Sequence, residues 1–225
     1  MRTLGVVTIG QTPRADVTAE LEPLLPPCRI VEHGALDGLD AEALAALRPG
    51  PGQASLATTL AGGRPVVYRH EAAEPLVGAA VRRAEEDGAD VVLLACGGAF
   101  GALAHRKPLL RTEILAQQGV RALAGGMRVG VLRPLAGQVE EARLAWRRVL
   151  GTDQVVVDAV NPFDARPADL AAAAAGLTGR CDVLVLDCFG FGERMRAAAA
   201  REFGGPVLLI RSVAARLTAE FLAGV

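Results

Sequence analysis

The chain has 225 residues, of which 51% are hydrophobic, 22% charged and only 4% aromatic, with a formal charge of −1. A chain this apolar and this balanced in charge is neither disordered nor a dedicated nucleic-acid binder. Its longest uncharged apolar stretch, residues 91–104, falls short of the roughly 18–20 residues that span a bilayer. The opening Met1-Arg2-Thr3 and the brief apolar run before Gln11 do not make a secretory leader. The expectation is a cytoplasmic protein with no membrane and no nucleic-acid partner.

Short apolar runs alternate with amphipathic, alanine-rich segments. Residues 4–9 read as a buried strand ended by Gly10, and a helix is expected over 13–25. A strand at 29–32 and a short helix at 41–47 follow, before Pro49-Gly50-Pro51-Gly52 breaks the chain. Residues 54–60 form an extended excursion, 65–68 a strand, and 75–87 a helix with Leu76, Val77, Ala80, Val81 and Ala84 on one stripe. Residues 91–95 are a strong strand. The rhythm resumes with strands at 128–132, 154–157, 183–186 and 207–210. Helices are expected at 135–150, 168–175, 193–202 and 212–222. Strands that are apolar throughout, interleaved with helices, predict an α/β fold with parallel sheets covered on both faces.

The sequence also repeats itself. Asp90-Val91-Val92-Leu93-Leu94-Ala95-Cys96-Gly97-Gly98 lies over Asp182-Val183-Leu184-Val185-Leu186-Asp187-Cys188-Phe189-Gly190. Leu4-Gly5-Val6-Val7 lies over Val129-Gly130-Val131-Leu132. Two similar Rossmann-like lobes, 1–124 and 125–225, are expected, with the last helix able to pack back on the first. Exposed alanine and leucine on that helix leave room for a homodimer.

The residue inventory limits the chemistry. The single lysine, Lys107, precedes a proline in an expected loop, and there is no Gly-x-x-x-x-Gly-Lys phosphate loop. His33, His70 and His105 lack metal-ligand spacing, so no metal site is expected. Cys28, Cys96, Cys181 and Cys188 remain. Free cysteines are usually small buried hydrophobes, and Cys28 and Cys181 fit that description. Cys96 and Cys188 stand instead at the carboxyl ends of matched strands, where open parallel sheets bind ligands. Each is followed by a turn able to present N–H groups. If the lobes face each other about a pseudo-twofold axis, one thiolate takes a proton from carbon and the opposite thiol returns one. Backbone N–H groups would hold a carboxylate and the enolate-like charge.

Other residues at strand ends are candidate lining groups: Gln11, Thr12, Arg14, Gly97, Gly98, Arg133, Asn161, Phe189 and Gly190. Thr12 equally suits a helix cap, and Arg14 a solvated surface. Asn161 suits a turn before Pro162. Ser212 is expected to cap the last helix. Asp187 points away from Cys188 if the strand continues.

The segments Thr8-Ile9-Gly10-Gln11-Thr12-Pro13-Arg14, Asn161-Pro162, Leu186-Asp187-Cys188-Phe189-Gly190-Phe191 and Ala215-Arg216-Leu217-Thr218-Ala219-Glu220 resemble the AroM family. That family resembles the aspartate/glutamate racemase superfamily. The resemblance implies two pseudo-symmetric α/β lobes, no cofactor, and catalytic cysteines at Cys96 and Cys188. It implies a racemase, epimerase, or related isomerase or decarboxylase acting on a small carboxylate. The superfamily often follows its cysteines with Asn-Thr and Thr; Gly97-Gly98 and Phe189-Gly190 stand here instead. Two other readings remain. One is a non-catalytic small-molecule binding or regulatory protein on the same fold. The other is a nucleotide binder using Gly190-Phe191-Gly192-Glu193-Arg194-Met195, where methionine fills the third glycine position.

Overall fold

The computed structural model describes residues 1–223; residues 224–225, the last two of the expected second lobe, lie outside the described residues. Contacts along the chain define two compact units. One is Met1–Thr112 with Ala215–Val225, and the other is Glu113–Ala214.

The first unit is built on a four-stranded parallel sheet. Its strands are β1 (Thr3–Thr8), β2 (Arg29–Gly34), β5 (Val91–Ala95) and β6 (Leu109–Arg111), in the order β2-β1-β5-β6. Between β2 and β5 come helix α2 (Ala41–Ala46), a hairpin of β3 (Ser55–Thr59) and β4 (Pro65–Arg69), and α3 (His70–Glu86). β3 and β4 depart from the parallel expectation. They pair antiparallel in a sheet of their own, with Leu56 opposite Tyr68. Only a short connection, residues 60–64, separates them, and an antiparallel pair needs no crossover helix. Helix α1 (Ala15–Leu21) is shorter than expected because Pro23 turns the chain into a 3-10 turn at Glu22–Leu24. α3 is longer than expected, carrying Pro75 inside rather than at its start.

The second unit repeats the plan. Its sheet runs β8-β7-β9-β10, from β7 (Val129–Arg133), β8 (Val155–Ala159), β9 (Val183–Leu186) and β10 (Val207–Leu209). Successive strand residues alternate faces. Val129, Val131, Val183 and Val185 pack with Ala116, Val120 and Ala124 of α4 (Thr112–Ala124) and with Trp146 of α5 (Val139–Leu150). Leu132, Leu184 and Leu186 pack with Leu170 and Ala174 of α6 (Pro167–Ala175) and Ala199 and Phe203 of α7 (Glu193–Phe203). Helices therefore cover both faces of this sheet. β6 and α4 were not expected from sequence. The last helix, α8 (Ile210–Ala223), follows β10 without a loop, just as α4 follows β6. Ser212 is therefore inside the helix and not its cap; its hydroxyl donates to the Leu209 carbonyl at 3.0 Å.

The repeat has physical content. Asp90 accepts the Thr3 N–H at 2.8 Å, and Asp182 accepts the Arg128 N–H at 2.9 Å. In each unit an acid before the cysteine-bearing strand fixes the start of its neighbour. Registers match too: Leu4 pairs with Val91 as Val129 pairs with Val183. Among the described residues, no helix is long and apolar enough to cross a membrane.

Candidate active site

Cys96 follows β5 directly and is 5% exposed; Cys188 follows β9 by two residues and is 9% exposed. Each sulfur accepts a hydrogen bond from the N–H two residues on, from Gly98 at 3.2 Å and from Gly190 at 3.4 Å. The turn is thus the same device twice: a thiol at a strand end and a backbone donor folded back onto it. An N–H aimed at sulfur favours thiolate over thiol.

The surroundings of the two sulfurs differ. One residue past the Leu132–Leu186 pair in the register, the Arg133 guanidinium reaches both the Asp187 carbonyl and its carboxylate, each at 3.0 Å. Trp146 Nε1 donates to the same carboxylate at 2.7 Å. Arg211, 2% exposed, donates from Nε to the Phe189 carbonyl at 2.8 Å and also from Nη2. Its guanidinium lies 5.3 Å from the centre of the Phe189 ring. Burial pushes the Cys188 thiol up from its ordinary 9.0. The Gly190 N–H, Arg133 and Arg211 pull the other way, and Asp187 adds to the rise.

Around Cys96 the side chains are different, although the Arg111 guanidinium donates to the Phe100 carbonyl at 2.6 Å in the same loop. At the position matching Arg133 stands Thr8, opposite Ala95, with its buried hydroxyl oxygen lacking a hydrogen-bond partner. Tyr68 donates to the Ile9 carbonyl at 2.8 Å, and burial holds its own hydroxyl far above the usual phenol range. His70 reaches the Ala99 carbonyl at 2.7 Å and stacks on Phe100 with ring centres 5.4 Å apart.

The other candidate residues fall into two groups. Gly97 and Gly98 form the Cys96 turn, and Phe189, Gly190 and Arg133 form or grip the Cys188 turn. Gly190 is required by space, because a Cβ there would lie 2.3 Å from Phe163 Cζ. Gln11, Thr12 and Arg14 tie the loop after β1. Gln11 bonds the Leu36 carbonyl and the Ala61 N–H through its side-chain amide. Thr12 bonds Asp37 through both its N–H and its hydroxyl, and does not cap α1. Arg14 makes a two-point pair with Asp16 and is 6% exposed. Asn161 accepts the Phe163 N–H at 3.1 Å, closing a turn around Pro162.

Cys181 packs against β7, where a Cβ on Gly130 would come within 2.4 Å of its sulfur. Cys28 is half-buried. Among the described residues, no group of three or more His, Cys, Asp or Glu could hold a metal ion. Sequence reasoning missed the grip of Arg211 on Phe189 and the Arg133–Asp187–Trp146 cluster. Both join residues distant in sequence, and only the bare presence of an arginine after the last strand hinted at the first.

Paired parallel-sheet units with a cysteine at the end of one strand in each define a protein of the racemase fold. Allantoin racemase from Klebsiella pneumoniae is similar with a TM-score of 0.67 at 16% identity, over 99% of this chain and 88% of that one. The maleate isomerase Iso from Pseudomonas putida S16 gives 0.64 at 15%, over 99% and 93%. Aspartate racemase from Picrophilus torridus gives 0.61 at 14%, over 98% and 95%. At these identities the likeness is one of fold. The chain belongs to the AroM family, whose model, described as AroM protein, matches residues 4–222. No curated protein matches the chain by sequence.

Proposed function

We propose that the protein is a cofactor-independent enzyme of the racemase/isomerase kind. In this reading Cys96 and Cys188 act as a thiol–thiolate pair on one small carboxylate substrate. One sulfur, as thiolate, removes the proton from the carbon beside the carboxylate. The electron pair left behind spreads into that carboxylate as an enolate-like dianion. The other sulfur, as thiol, gives its proton to the opposite face, leaving the pair with its protonation exchanged. Backbone N–H groups of the two turns hold the developing charge.

The observation that carries this reading is the matched pair of sulfur-accepting turns, Gly98 N–H to Cys96 and Gly190 N–H to Cys188. Both bonds favour the thiolate form that acid–base work at carbon needs. The fold shared with racemases and isomerases supports the same class of reaction.

Proton exchange at carbon is the direct test. Aspartate, glutamate and other small 2-substituted carboxylates are incubated with the enzyme in deuterium oxide. Deuterium should enter the carbon next to the carboxylate. C96A and C188A should each lower the rate by at least a hundredfold, the scale of a lost acid or base. Exchange that persists in both variants would rule the cysteine pair out.

A further inference from the structure

The Phe189–Gly190 peptide joins the Arg211 guanidinium to the Cys188 sulfur. Its carbonyl accepts from Arg211, and its N–H donates to the Cys188 sulfur. In a trans peptide the C=O and N–H point in opposite directions within one conjugated plane. A cation on the oxygen therefore draws charge through the amide and makes the N–H a stronger donor. The geometry points to Arg211 as a positioning residue that acts through this peptide, fixing and strengthening the Gly190 N–H donor to the Cys188 sulfur.

Two further observations fit this role. Arg211 is 2% exposed and stacks on the ring of the same residue whose carbonyl it holds, so its fork is fixed on both sides. The Asp187 carbonyl, on the other side of Cys188, is held by Arg133. The carbonyls of both residues flanking Cys188 are thereby gripped by guanidinium groups. At Cys96 the position matching Arg211 carries no guanidinium. Register places Glu113 where Arg211 stands, since Leu109 pairs with Val92 as Val207 pairs with Leu184. A carboxylate cannot donate to a carbonyl.

The charged groups acting on the Cys188 sulfur are Arg133 from β7, Asp187 beside it and Arg211 from α8. Arg133 and Arg211 favour the thiolate and Asp187 opposes it. Arg211 therefore bears on which protonation state Cys188 holds. Its consequence for catalysis rests on the cysteine-pair reading above.

The test is a pH titration of protein labelled with 13C at cysteine Cβ, comparing wild type, R211Q and R211K. The Cys188 midpoint should rise in R211Q by about one pH unit, a roughly tenfold weaker ionisation. R211K keeps the charge but loses the fork, so its midpoint should fall between those of R211Q and wild type. The Gly190 amide proton should move upfield in both, and the Cys96 midpoint should stay put. Full recovery in R211K would mean that charge alone suffices and would overturn the relay. An unchanged Cys188 midpoint, or failure of both variants to fold, would overturn it too. Deuterium incorporation measured alongside separates the two readings. A shifted titration with no exchange in wild type leaves the relay standing and the enzyme reading lost. Exchange in wild type with an unshifted R211Q titration does the reverse.

Discussion

The Cys96 and Cys188 turns share a backbone and differ in side chains. Both place sulfur at a strand end under the N–H of the second residue on. At Cys188 the turn is set among Arg133, Asp187, Trp146 and Arg211. At Cys96 the matching strand positions are Thr8 and Ala95. A duplicated strand and turn keep their hydrogen-bond plan because the plan is made by backbone. Side chains at the same positions are free to diverge, and here Arg133 stands at the strand end where the first unit carries Thr8.

The largest expected effect comes from breaking the charged cluster. In D187A the nearly buried Arg133 loses its counterion and Trp146 its acceptor. Unfolding in urea should show a loss of about 3–5 kcal/mol. A loss under ~1 kcal/mol would mean that the charged setting is incidental.

Next is the space around the donors. G190A drives a Cβ to within 2.3 Å of Phe163, whereas G98A meets only the Leu56 side chain at 3.1 Å and the Cys96 sulfur at 3.4 Å. G190A should cost about 1–3 kcal/mol, as overpacking does, and G98A less. Equal costs would say that the two turns are equally tight.

Y68F should cost about 1 kcal/mol, since it leaves the Ile9 carbonyl without its buried donor. The smallest expected signal is in reactivity. Burial holds Cys188 above 9.0, so the thiol is protonated at neutral pH and its thiolate fraction rises about tenfold per pH unit up to its midpoint. Iodoacetamide labelling of the ligand-free protein should favour half-buried Cys28 near neutrality. Labelling of Cys188 should still be climbing past pH 9.0. A plateau for Cys188 below that value would reverse the expected direction of its shift.

Much of the fold could be read because its strands are buried on both faces. Residues 91–95 and 183–186 are unbroken apolar runs, and the acids before them mark the repeat. β6 escaped notice because Leu109–Arg111 has three residues, all only partly buried. α4 follows it without an intervening loop to announce a helix. Residues 54–60 and 65–68 were visible as extended segments, but not their antiparallel pairing, because nothing local shows which strands pair. At the candidate site, the cysteines and glycines were legible because strand ends followed by glycine are a local pattern. Arg211 was legible only as a residue after the last strand; its grip on Phe189 was not, because the two lie 22 residues apart in sequence.

The helix after the fourth strand of each sheet carries one more consequence. α4 follows β6, yet from Glu113 it is counted with the second unit; α8 follows β10, yet from Ala215 it is counted with the first. During synthesis the second unit therefore has all its residues once the chain has reached Ala214, while the first, begun earlier, still awaits its last segment. The usual order, in which the N-terminal body is finished first on the ribosome, is inverted. A released chain truncated after residue 214 should hold a protease-resistant second unit beside a first unit that is still open to cleavage.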